Sequence, residues 1–191
     1  LRRQRQMCIR DRFPPINIKD TSGNVVFDRM LSWWSRYIGI SPIFDDPICL
    51  TIENNQITKI EGKREADALR NFLKSMEPRL GEATYKFPEM HAGVHPYAVV
   101  APQQCNHPLM QRIVDHSESC CIHVHIGAPW PRPEYPYWMH ITGDLREATW
   151  KVGSTLIHDR GHLNALDHPK VKEIAEKYPD RPGLKPWPKS F

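Results

Sequence analysis

Strict alternation of apolar and polar residues predicts a β-strand across residues 119–127. Successive residues of a strand point to opposite faces, so His123 and His125 would share one face. The other face would carry only apolar side chains, which predicts that it packs against the core. Those side chains are Ile122, Val124 and Ile126.

A second pattern predicts a β-hairpin followed by a helix. Two alternating segments, 48–53 and 56–60, flank Asn54 and Asn55, a pair that tolerates the left-handed conformations of a two-residue turn. Apolar residues then recur at helical spacing, and Pro78 is expected to end that helix. The apolar positions are Ala66, Leu69, Leu73 and Met76.

The remaining patterns are shorter. Asn106 is expected to cap a helix over 108–115, and Pro169 to open a last helix that ends near residue 178. A hairpin and a helix thus come first and strands dominate later, which predicts an α+β fold. The later strands are predicted at 97–101, 138–142, 147–152 and 154–158.

Composition divides the chain into four stretches. Residues 1–12 resemble translated sequencing-adapter text and are expected to be a non-native tail. Residues 13–47 are irregular and are expected to be a linker or the end of a missing N-terminal part. Residues 48–178 form the predicted catalytic-type α+β domain, and residues 179–191 form a proline-rich tail.

Charge excludes one class of function. The 191-residue chain has a net charge of +4, and residues 1–12 alone account for it, so the rest of the chain is neutral. A neutral body lacks the basic surface that nucleic acids require, which excludes nucleic-acid binding.

No apolar run is long enough to cross a membrane. The five cysteines include no C-x-x-C pair, which favours reduced thiols in a cytoplasmic protein.

The positions of the histidines indicate a metal site. All 10 histidines lie between His91 and His168. On the predicted strand, His123 and His125 would lie about 7 Å apart, which suits two imidazoles that bind one ion. An exposed histidine pair on an ordinary half-buried strand would give the same pattern, so both interpretations stay open.

Further candidate ligands lie on either side of this strand. His140 and Asp144 flank Gly143, where we expect the chain to bend. Either side chain would reach a shared metal, or Asp144 would orient His140 through a hydrogen bond. Glu89 is a third candidate, and the glycine and proline that follow it favour a loop over 89–95.

Taken in order, these segments resemble the C-terminal half of one superfamily. It contains the thermophilic-type metallo-aminopeptidases (aminopeptidase T-like) and the non-haem iron 2,5-dihydroxypyridine 5,6-dioxygenases. The resemblance implies the C-terminal catalytic domain of a larger two-domain family, with a curved mixed or antiparallel sheet and a few flanking helices. Its motifs are Glu89-x-x-x-Gly93-x-x-Pro96, Glu118…His123-x-His125-x-Gly127, the His140 segment and Asp159-x-Gly161.

The resemblance also implies metal ligands. Glu89, His123 and His140 match three ligand positions of the aminopeptidases, whereas His125 stands where that branch has a small residue. In the dioxygenases, two histidines and one carboxylate hold a single iron, and the short separation of His123 and His140 is closer to that branch. Fe(II) is therefore the expected metal, with Zn(II), Co(II) and Mn(II) as alternatives.

One position departs from both branches. Thr142 stands where the family has the Asp of a His-x-Asp motif, so Asp144 is a candidate replacement.

Three functions follow from these patterns. The first is an Fe(II) ring-cleaving dioxygenase-like enzyme that acts on a hydroxylated aromatic or pyridine ring. The second is a metallo-aminopeptidase-like hydrolase that acts on peptides, and the third is a non-catalytic domain with incidental histidines. A homo-oligomer would form through the missing or the C-terminal part. Aromatic residues expected either to stack on a planar substrate or to pack on loop prolines are Trp130, Tyr137 and Trp138.

Overall fold

The described part of the chain folds into three antiparallel sheets with a few helices. The computed structural model describes residues 16–18, 20–28, 31, 34–41, 44–93, 121–128, 133, 137–181 and 184. Within those residues it contains ten β-strands, three α-helices and two 3-10 turns. This mixture confirms the predicted α+β class.

Four strands form the sheet that carries the candidate ligands, which we call the site sheet. Every neighbouring pair in it is antiparallel. The strand predicted from alternation is confirmed as its third member. In spatial order the strands are β1 (Ile16–Asn17), β5 (Glu89–Ala92), β6 (Cys121–Ile126) and β7 (Ile141–Arg146).

Three further strands form a second sheet that contains the predicted hairpin. The hairpin strands β3 (Ile48–Glu53) and β4 (Gln56–Glu61) pair around Asn54 and Asn55. Both asparagines adopt the left-handed conformation, with φ of 49° and 65°, which confirms the predicted turn. The third strand, β2 (Gly23–Phe27), pairs with β3 along its whole length.

Strand β2 corrects the description of residues 13–47 as irregular. The segment also contributes a short helix, α1 (Ser35–Ile38), and several side chains of the hydrophobic core. Phe27 and Leu31 are fully buried in it. The segment has only a weak alternating pattern, so alternation alone misses the strand. Burial of these large side chains stabilises the strand instead, through contacts that the local pattern does not indicate.

Helix α2 (Arg64–Leu80) follows the second sheet and buries the predicted apolar face. The prediction that it ends at Pro78 is wrong, because Pro78 lies inside its last turn. The proline removes one backbone hydrogen bond, but two more residues continue the helix, and Leu80 packs into the core. The helix ends at Gly81, which has a φ of 53°.

Strand β7 also differs from expectation. It begins at Ile141 rather than at 138 and runs straight through Gly143, where a bend was predicted. Unbroken pairing with β6, from Ile126–Ile141 to Cys121–Arg146, keeps it extended. Gly143 is needed for a different reason: a Cβ at this position would lie 2.2 Å from Cε1 of Phe27.

The C-terminal region forms a small third sheet and a last helix. The helix predicted after Pro169 is confirmed, and no helix in the described residues is long and apolar enough to cross a bilayer. The predicted elements at 97–101 and 108–115 lie outside the described residues. The C-terminal elements are β8 (Trp150–Val152), β9 (Thr155–Asp159), β10 (His162–Leu163) and α3 (Pro169–Glu176).

Candidate metal centre

The register of the site sheet places polar residues from three strands on one face. His91 on β5 pairs with His123 on β6, and His123 pairs in turn with Asp144 on β7. Residues directly opposite each other in antiparallel strands project to the same face, with Cβ atoms about 5 Å apart. Two residues further along β6, on the same face, His125 pairs with Thr142.

The opposite face of the same strands is apolar. Val124 pairs there with Met90 on one side and with Gly143 on the other. Ile122, Val124 and Ile126 are all buried, as the alternation predicted. Packing on this face fixes the strand register, because a shift by one residue would turn the histidines into the core.

Three histidines form a first group of possible ligands, which we call the inner group. It consists of His91, His123 and His125, and one ring nitrogen from each lies within 4.8 Å of the others. The rings of His91 and His123 are stacked with centroids 4.7 Å apart, and the His125 ring stands perpendicular to both. All three side chains are buried.

A carboxylate and two histidines form a second group, the outer group. It consists of Glu89, His125 and His140, and their ligand atoms also lie within 4.8 Å of one another. Nε2 of His140 donates a hydrogen bond to Oε1 of Glu89 at 2.9 Å, and the His140 ring stacks on His125 at 3.7 Å. Glu89 and His140 are only partly buried, so this group faces the solvent side of the cluster.

Glu89 is a strong anion in this setting. Burial alone would raise its pKa, but the hydrogen bond from His140 and the close approach of His91, whose Nε2 lies 3.5 Å from Oε1, lower the pKa to about 2 through the positive charge of the two rings. Glu89 is therefore ionised at neutral pH and offers a metal a carboxylate that need not lose a proton first.

The two groups divide the predicted ligands in an unexpected way. His123 lies with His91 in the inner group, whereas His140 and Glu89 lie in the outer group, so His125 is the residue common to both. Asp144 is buried opposite His123 and belongs to neither group.

The predicted aromatic residues occupy different surroundings. Trp138 is half-exposed and meets the ring of Trp34 edge to face, with centroids 5.9 Å apart. The guanidinium carbon of Arg79 lies over the ring of Tyr137, 5.5 Å from the centroid of that ring. Trp130 lies outside the described residues.

Sequence analysis missed His91 as a candidate ligand. The loop predicted over 89–95 is wrong for its first part, because Glu89–Ala92 is strand β5. Pairing with β1 and β6 on its two sides outweighs the loop signal of the following glycine and proline. Glu89, Met90 and His91 do alternate polar and apolar, which was the only local signal for this strand.

The donor atoms fit a divalent transition metal. Imidazole nitrogens suit iron, zinc, copper and nickel, and a carboxylate with two histidines is a set that non-haem iron(II) favours. The outer group has this composition, and two of its members, Glu89 and His140, are partly exposed.

Comparisons with known proteins show the fold. No protein-family model matches the sequence, and no curated protein matches it. Among solved structures, the chain is similar to 2,5-dihydroxypyridine dioxygenase from Pseudomonas putida KT2440, with a TM-score of 0.57 and 18% sequence identity. The two share a fold. The similarity covers 76% of this chain and 41% of the dioxygenase, so the chain spans less than half of that protein.

These comparisons bear unequally on the two branches of the resemblance. The structural likeness lies on the dioxygenase side, and nothing found supports the aminopeptidase side.

Proposed function

We propose that the chain is a catalytic domain of a non-haem Fe(II) ring-cleaving dioxygenase that acts on a hydroxylated aromatic or pyridine ring. The observation that carries this proposal is the outer group, in which Glu89, His125 and His140 bring a carboxylate and two imidazoles within 4.8 Å. The fold shared with a 2,5-dihydroxypyridine dioxygenase supports the same reaction class.

The outer group would hold the iron. Iron(II) bound by three protein ligands supplies coordination positions for dioxygen and for substrate oxygens. Glu89 would balance part of the charge of the ion, and its hydrogen bond with Nε2 orients the ring of His140. The stacking of His140 on the buried His125 holds both imidazoles in place.

Trp138 is the candidate substrate contact that this geometry favours. It precedes His140 by two residues, and its exposed ring rests on the edge of the buried Trp34. A rigid aromatic surface next to a metal ligand suits a planar ring better than a peptide. Tyr137 is less suited, because its ring already contacts Arg79.

The wider setting of the domain belongs to the same proposal. We propose a cytoplasmic enzyme with a small-molecule substrate, in which this chain corresponds to the C-terminal part of a larger two-domain protein. The match to 41% of the dioxygenase supports only the part of this proposal that makes the chain a portion of a longer protein.

Anaerobic loading with Fe(II) tests the proposal. The full chain should bind iron stoichiometrically and consume dioxygen when a dihydroxypyridine or a catechol is added. His140→Ala and Glu89→Gln should each lower the iron content by about one equivalent and abolish oxygen uptake, because each removes one of three protein ligands. His162→Ala, on the third sheet, is the matched control and should change neither measurement.

Two results would contradict the proposal. One is iron binding that survives both His140→Ala and Glu89→Gln unchanged. The other is release of an N-terminal leucine from peptides with Zn(II) or Co(II) in the absence of oxygen uptake, which would establish the hydrolase instead.

A further inference from the structure

The inner group is chemically distinct from the outer group. His91, His123 and His125 supply three imidazoles and no carboxylate, and their side chains are 6%, 0% and 1% exposed. Three histidines with a fourth position left open are a recurring ligand set for zinc. The outer group, with its carboxylate, is the set better suited to iron(II).

His91 gives independent support for a ligand at this place. Its side chain is buried, and within the described residues neither ring nitrogen has a hydrogen-bond partner. Oε1 of Glu89 lies 3.5 Å from Nε2 of His91. A buried imidazole without a hydrogen bond destabilises the fold, and a metal ion bound to one of its nitrogens would offset part of that cost.

Two carboxylates, one buried and one partly buried, lie beside the inner group and would balance part of the charge of an ion bound there. Asp144 lies directly opposite His123 in the β6–β7 pair and is 1% exposed. Glu89 lies beside His91, with Oε1 3.5 Å from Nε2 of His91. Carboxylates next to metal-bound histidines orient the rings and raise their affinity for the ion.

We propose that the inner group is a second metal position, whose three imidazoles suit Zn(II) or Co(II), adjacent to the iron position of the outer group. The two positions share His125. With one ion on each ring nitrogen, this ring would release its N–H proton to solvent and bridge the two ions as an imidazolate. This inference rests on the proposed function for one point, the metal position that contains His140. It does not depend on which reaction the protein catalyses.

Metal stoichiometry of the full chain tests the inference. Equilibrium dialysis against Zn(II), followed by elemental analysis, should give about two equivalents for the unaltered chain. His91→Ala should reduce this to about one. His91→Phe should do the same while it keeps an aromatic ring on His123, so it separates loss of a ligand from loss of folding. His162→Ala is again the matched control and should retain both ions.

Co(II) provides a readout that does not require activity. The visible absorption of bound Co(II) should contain a component from an all-nitrogen site that disappears in His91→Phe and survives in His140→Ala. His125→Ala should lose both components, because it removes the ligand that the two positions share.

The outcomes separate this inference from the proposed function. One equivalent that His140→Ala abolishes and His91→Phe leaves intact would overturn the inner position and keep the outer one. One equivalent with the opposite response would support the inner position and contradict the iron site. One equivalent lost in both variants would overturn a separate second position. About two equivalents, with one lost in each variant, is the result expected.

Discussion

At the scale of single residues, Gly143 shows how closely the back of the site sheet is packed. It lies in the middle of β7, and a Cβ there would meet three atoms of the Phe27 ring at 2.2–2.7 Å. Phe27 is fully buried and has no room to withdraw. The absent side chain of Gly143 therefore lets the two sheets approach each other.

Gly143→Ala should lower the free energy of unfolding by about 1–3 kcal/mol, the usual cost of overpacking a core. Urea unfolding of the two proteins measures the change. Phe27→Leu in the same chain should recover part of the loss, because it shortens the side chain that the new methyl group meets. An unchanged urea midpoint in Gly143→Ala would show that the two sheets separate freely at this point.

Tyr85 gives a prediction for alkaline pH. Burial and a hydrogen bond to Glu77 raise the pKa of its hydroxyl to about 12, from an ordinary value near 10. The unfolded chain therefore loses this proton at lower pH than the folded chain does. The contribution of Tyr85 to stability is complete below pH 10 and is lost as pH rises towards 12.

Thermal unfolding at several pH values between 9 and 12 tests this expectation. The unaltered chain should lose stability more steeply above pH 10 than Tyr85→Phe, which has no hydroxyl to ionise. Parallel curves for the two proteins would show that Tyr85 does not contribute to the alkaline loss.

At the scale of elements, the candidate centre depends on how strands pair. Alternation in the sequence placed His123 and His125 on one face of β6, and the structure agrees. It gave no information on which strand lies beside β6, because pairing is decided by packing between segments far apart in the chain. His91 became a candidate ligand only once β5 was placed opposite His123.

Strand β2 is the element whose contribution is easiest to measure. Phe27 faces the core and is fully buried, whereas its neighbour Val26 is 45% exposed on the other face. Phe27→Ala should lower the free energy of unfolding by about 3–5 kcal/mol, because it leaves a large cavity between the sheets. Val26→Ala is the matched control, with an expected change below about 1 kcal/mol.

Denaturant unfolding of both variants checks this assignment. If Phe27→Ala costs no more than Val26→Ala, residues 23–27 do not belong to the core. The interpretation of residues 13–47 as a linker would then be the better one.

At the scale of the whole molecule, the fold class was predictable and the assembly of sheets was not. Turn residues and local periodicity predicted the β3–β4 hairpin and α2, since these depend on neighbours in sequence. The division into three sheets depends on contacts such as that between Phe27 and Gly143, which are 116 positions apart. No local pattern carries that information.

The order of strands in the site sheet also bears on how the protein folds. Its four strands come from residues 16–17, 89–92, 121–126 and 141–146, so each pairing closes a long loop. Loop closure costs entropy before distant contacts repay it, and sheets of this kind form slowly. The third sheet needs only residues 150–163 and closes short turns. We therefore expect the histidines to converge late, so that a metal ion would find its complete set of ligands only in a chain that is already nearly native.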